Sequence, residues 1–130
     1  MNLYFLTAGI LCFILGLIHS FLGEFLIFKN KRKKGWLVPS LSSPDLKERH
    51  LRILWATWHL ASVFGWCIGA ILIQISGDPS DTNSSLATFI FESSMYAMFL
   101  SSGLVLVGTK GRHPGWIVLA VIGYLLMIGG

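Results

Sequence analysis

Five side chains of this 130-residue chain stand within or beside long apolar tracts and are equipped for chemistry: His19, Glu24, Arg52, His59 and Tyr124. Imidazole changes charge near neutral pH and ligates metals through a neutral nitrogen. A carboxylate beside it can orient the ring or take its proton, and an arginine can neutralise that carboxylate. His59 lies deep in the run Arg49 to Trp66, where Arg52, Trp55, His59, Ser62 and Trp66 follow one another by three or four and share one helical face. On the first apolar tract, Cys12, Gly16, His19 and Gly23 form a stripe of mostly small residues that lets a neighbouring helix come close. Ionisable groups placed this way mark a functional site by default.

The elements that position them follow from composition. Hydrophobic residues make up 54% of the chain and charged residues 12%, against roughly 25% charged in a soluble domain. A helix needs roughly 20 apolar residues to cross about 30 Å of hydrocarbon. The pattern predicts an all-α, four-helix membrane bundle forming one transmembrane domain, with helices over about 3–28, 44–76, 86–108 and 115–129. The second helix is expected to start at Ser42-Ser43-Pro44-Asp45, a serine cap with proline and an acid in the first turn. Asp45 with Arg49 and Glu48 with Arg52 would then support it as pairs four apart. The fourth tract, about 24 Å long as helix, is the shortest, and Trp116 would anchor it at the interface.

All ten Lys and Arg lie between Lys29 and Arg52 or between Lys110 and Arg112, and the connection from Ser76 to Ser85 has none. By the positive-inside rule both basic connections face the cytoplasm and both termini face outside. Lys29 to Lys34 reads as a topology determinant and a contact for anionic lipid, with Trp36 at headgroup level and no nucleic-acid role. No basic residue precedes the first apolar tract, so a cleaved signal peptide is not expected. Cys12 and Cys67 read as small buried residues, with a disulfide as the alternative. Asn83-Ser84-Ser85 matches a glycosylation acceptor, a match common by chance. The first and second helix pairs share an orientation pattern without enough residue identity to count as a repeat.

Counting along each helix places the polar groups in layers. His19 lies about 13 Å from the cytoplasmic end of its tract, His59 about 10 Å beyond Arg52, and Tyr124 about 13 Å above Gly115. Ser20, Ser62, Ser101 and Ser102 fall near the same level, so the two histidines are expected to meet there. Glu24 and Arg52 form a second layer toward the cytoplasm, where an ion pair is expected. Glu92 lies toward the outer edge, bonded to a neighbour or protonated near the headgroups. His50 and His113 read as surface or capping residues.

The run His19-Ser20-Phe21-Leu22-Gly23-Glu24, together with Arg52, Trp55 and Trp58-His59-Leu60-Ala61-Ser62, resembles a pattern of small bacterial four-span inner-membrane proteins. The resemblance covers the first two helices. It implies a bacterial inner membrane and a paired role for His19, Glu24 and His59, and it brings no activity with it.

Three functions fit these residues. The first is a buried site for an ion, a proton or a small ligand, with His19 and His59 as its floor, Glu24 and Arg52 as its mouth and Tyr124 or the serines as its wall. Two histidines fall short of the four ligands of a closed zinc site. The second is b-type haem, with His19 and His59 as axial ligands among Phe13, Phe21, Trp55, Trp58 and Phe64; haem or a transition metal would then be the cofactor. The third is a structural or assembly subunit in which the polar groups only bond one another. No phosphate loop, Ser-His-Asp order or His-x-x-x-His motif argues for an enzyme of soluble type. The partners expected are the lipid bilayer and further copies of the same chain.

Overall fold

The computed structural model describes residues 1–77 and 85–130. Among them every regular element is helical. Helix α1 spans Leu3–Leu22 and runs on through a π-helical segment, Gly23–Phe28, into one 3-10 turn, Lys29–Lys31. Helix α2 spans Glu48–Gly77, α3 spans Ser85–Gly108 and α4 spans Gly115–Gly129. Three of these, Leu3–Lys31, Glu48–Gly77 and Ser85–Val107, are long and apolar enough to cross a membrane, and α4 is a shorter apolar helix. The expected outer connection, with Asp78, Asp81 and Asn83, lies outside the described residues.

Helix α2 begins four residues later than the serine-proline signal suggests. Ser43 and Leu46 exchange both backbone hydrogen bonds, at 3.0 and 3.1 Å, and close a tight turn over Pro44 and Asp45. Proline suits the second position of such a turn as well as the first turn of a helix. The first bond of α2 runs from the Leu51 amide to the Lys47 carbonyl. Asp45 therefore precedes the helix, whereas Glu48 and Arg52 do stand one turn apart, at 3.7 Å.

The chain divides into two compact units, Met1–Leu15 with Trp66–Gly130, and Gly16–Gly65. The first unit holds the apolar core: Phe5, Ala8, Cys12, Leu72, Ile75, Ala87, Phe91, Met98, Ile122 and Leu126. Helices α1 and α2 touch there through glycine. A Cβ on Gly9 would lie 2.8 Å from the Gly69 carbonyl oxygen, and one on Gly69 would lie 2.9 Å from that of Gly9. Asn2 closes the end of this unit. Its side-chain oxygen accepts the Tyr4 and Phe5 amides at 3.1 and 3.3 Å, capping α1. Its amide group donates to the Gly129 carbonyl at 2.7 Å and its backbone N–H to that of Ser76 at 2.8 Å, so carbonyls left over at the ends of α4 and α2 find donors. Between α3 and α4, Ser102 donates to the Trp116 carbonyl at 2.7 Å. Cys12 and Cys67 are both free thiols, the first buried and the second exposed.

The second unit is a helical hairpin closed by residues 32–47, and it holds the polar cluster. Gly23 makes the close contact here: a Cβ would overlap the Trp58 indole, 2.7 Å from its Cε2. Trp58 is fixed in turn by an N–H bond to the His19 carbonyl at 2.9 Å.

Candidate functional site

Glu24 stands at the centre of the second unit, on the π-helical segment. A π turn adds one residue to the helical circuit and re-aims the side chains that follow, which is why such turns recur at functional positions. Oε1 of Glu24 accepts two bonds from α2, from Trp55 Nε1 at 2.6 Å and from His59 Nε2 at 2.9 Å. Oε2 pairs with the Arg32 guanidinium. Trp55 and His59 lie one turn apart on α2, so one helical face presents both donors to the same oxygen.

Arg32 is held as firmly as the acid. The 3-10 turn ends and the chain becomes extended at Arg32, which lets its side chain turn back toward Glu24 while Nε donates to the Leu37 carbonyl at 2.5 Å. The connection is shaped around it. The Ser40 and Leu41 amides both bond the Lys31 carbonyl, Trp36 closes a turn on Lys33, and Gly35 takes a φ of 84° that other residues adopt reluctantly. Pro39 and Ser40 of this loop are buried, as is Phe28.

From His59 the network continues into hydroxyls. Nδ1 lies 3.0 Å from Ser20 Oγ, which lies 2.9 Å from Ser62 Oγ. A hydroxyl donates only one bond, so the direction of this chain depends on the proton content of His59. If the ring is neutral and gives its Nε2–H to Glu24, Ser20 must donate to Nδ1 and accept from Ser62. If the ring carries both protons, Ser20 accepts from Nδ1–H and is free to donate to Ser62. One proton on His59 thus reverses two hydroxyls. A carboxylate, an imidazole and a serine in sequence also make up a nucleophilic relay. Ser20, however, stands inside α1, where backbone N–H groups are spent on helical bonds and none is left to hold an oxyanion.

His19 is stacked on the Trp58 indole with ring centroids 4.4 Å apart and planes 5° from parallel. Phe28 meets both Trp58 and His59. The stripe Cys12, Gly16, His19, Gly23 is the covered side of its helix, buried at Cys12, Gly16 and Gly23 and half-buried at His19.

The candidate residues are therefore distributed unevenly. Glu24 and His59 are brought together directly. The expected partner of Glu24 is Arg52, but the structure gives that place to Arg32 and pairs Arg52 with Glu48. Arg52 precedes His59 by seven residues, nearly two turns, and reaches the acid one turn behind it instead. Tyr124 belongs to the first unit and is 54% exposed on α4. Ser102, also in the first unit, spends its hydroxyl on a backbone carbonyl.

Among the described residues no three His, Cys, Asp or Glu side chains gather as a metal-binding group. Both nitrogens of His59 are committed to bonds within the chain, so coordination to iron would require breaking one of them. Comparison with known protein families, with curated proteins and with solved structures gives no match.

Proposed function

We propose that this is a multi-pass membrane protein whose second unit carries a proton-binding relay, Glu24–His59–Ser20–Ser62, with Arg32 as the fixed counter-charge. The observation that carries this reading is the double engagement of His59, with a carboxylate on one ring nitrogen and a hydroxyl chain on the other. Imidazole is suited to gain and lose a proton near neutral pH. Arg32 keeps a positive charge beside Glu24 whichever state His59 is in, because guanidinium does not deprotonate in proteins. His59 can then change state without leaving the carboxylate unpaired.

The three spanning-length helices and the two basic connections support insertion with residues 29–52 and 110–112 in the cytoplasm and both termini outside, and the resemblance of the first two helices implies a bacterial inner membrane. A reporter fused after Gly130 that is active only in the cytoplasm would contradict that orientation. Arg32, Glu24 and His59 retain 22%, 29% and 25% of their side-chain exposure within the chain. Partial exposure of three polar groups beside apolar helix surface supports a homo-oligomer that covers them, and a monomeric mass in mild detergent would count against it.

Nitrogen-15 NMR of histidine-labelled protein in lipid vesicles tests the relay, with His59 assigned by its loss in His59→Asn. As the pH of the sample is varied, the His59 ring should be found both with two protonated nitrogens and with one, and Glu24→Gln should alter the balance between the two states. A ring that keeps one state throughout in both proteins would overturn the proton reading.

A specific observation favours a second reading, a structural polar lock. Among the described residues no buried side-chain nitrogen or oxygen lacks a partner, and Glu24 receives three donors. A fully satisfied network rigidifies the helices that contribute to it. The same spectra separate the two, since a lock requires no change of state.

A further inference from the structure

The first unit contains a second intramembrane acid in a different setting. Glu92 lies on α3 two turns in from Ser85, within a helix long and apolar enough to cross a membrane, and it is exposed. It lines a groove of about 430 Å³ together with Thr88, Phe91, Met95 and Met127 and the glycines Gly129 and Gly130. Among the described residues no cationic side chain lines the groove. An acid at such a depth is costly to leave facing hydrocarbon.

We propose that this groove binds a phospholipid bearing a primary ammonium headgroup. Charge complementarity sets the sign of the ligand, because among the described residues Glu92 is the only charged side chain on the lining. Thr88 precedes Glu92 by four residues and so stands on the same helical face, and it offers a hydroxyl. The Gly129 carbonyl is already bonded by the Asn2 amide group, so the side-chain acceptors of the lining are the Glu92 carboxylate and the Thr88 hydroxyl, as an ammonium with N–H donors requires. Phe91, Met95 and Met127 form the apolar part, and methionine adapts its shape to a flexible chain. A quaternary ammonium headgroup, which has no N–H to give, would lose the hydrogen bonds and keep only the charge.

The test is lipid retention by the full chain in mild detergent, read by native mass spectrometry against phosphatidylethanolamine, phosphatidylcholine and phosphatidylglycerol of one acyl composition. Wild type should retain the ethanolamine lipid about tenfold better than the other two, the size expected for a charge-assisted hydrogen bond. Glu92→Gln should abolish the preference and Glu92→Asp should keep part of it. Met127→Trp, which narrows the groove and leaves the carboxylate, should lower retention of the ethanolamine lipid. Equal retention of the choline lipid by wild type, or an unchanged preference in Glu92→Gln, overturns the proposal. So does a loss of self-association in Glu92→Gln with lipid preference intact, which would assign the groove to a second copy of the chain. Should Glu92→Gln fail to fold, Met127→Trp with unaltered lipid preference and retention is sufficient to overturn it.

Discussion

Gly23 offers the sharpest test of the second unit, because two effects of known size oppose each other there. Replacing a helical glycine by alanine ordinarily favours the helix by about 0.5–1 kcal/mol. At Gly23 the new Cβ would lie 2.5 Å from Trp58 Cδ1 and 2.7 Å from Cε2, against about 3.5–4.0 Å for carbon atoms in contact. An overlap near 1 Å cannot be relieved by rotating a flexible end, since the obstacle is a rigid ring. The indole is held on two sides, by its 2.9 Å bond to the His19 carbonyl and by its stack on the His19 ring. Moving it costs about 1–3 kcal/mol for overpacking and a further 0.6 kcal/mol or so for the lost bond. The sum outweighs the helix preference, so Gly23→Ala should destabilise by about 1–3 kcal/mol net. Gly103 on α3 supplies the control, because a Cβ there meets nothing within 4 Å and Gly103→Ala should be neutral or stabilising. Unfolding free energies in one detergent, with the Trp58 indole followed by nitrogen-15 NMR, give both quantities. If Gly23→Ala is as stable as Gly103→Ala and the Trp58 signal stays in place, the close approach of Gly23 and Trp58 is refuted.

A double-mutant cycle distinguishes the two arginines. Removing Glu24 and Arg32 singly and together should show a coupling of about 1 kcal/mol or more, while the Glu24 and Arg52 changes should add within about 0.5 kcal/mol; the reverse order would restore Arg52 as the partner of the acid. In the first unit, Gly69→Leu sets a side chain against the Gly9 carbonyl and the Phe13 ring, 2.9 Å from each at Cβ alone. It should lower unfolding stability by at least 1–3 kcal/mol or so, and a variant matching wild type would mean that the helices do not cross at these glycines.

The sequence makes the helices legible because three long apolar runs admit little else, and the bounds of α3 and α4 follow the expected ones within a residue. The start of α2 is less legible, since Ser43-Pro44-Asp45 serves a tight turn and a helix cap equally well and only the backbone exchange between Ser43 and Leu46 decides. Counting depth, which rests on the fixed rise per residue of a helix, places His59 in a layer with His19 and Glu24 in a second layer with Arg52; the structure instead joins Glu24 to His59 and to Arg32. Depth says nothing about azimuth, and the π segment at Gly23–Phe28 changes the azimuth of Glu24 without any signature in residue pattern. Arg32 was hidden for a different reason. It sits in a run of basic residues whose common role is topological, and nothing in Lys29 to Lys34 singles it out. What singles it out is local: the 3-10 turn ending at Lys31, the Leu37 carbonyl that takes Nε, and the loop closed over Ser40. On the proposed orientation the connection after α1 does two jobs with one set of charges, its lysines acting by number and Arg32 by position. Arg32 is bound to its position, because its guanidinium must reach Glu24 and the Leu37 carbonyl together, and on that single register depends the fixed counter-charge of the proposed relay.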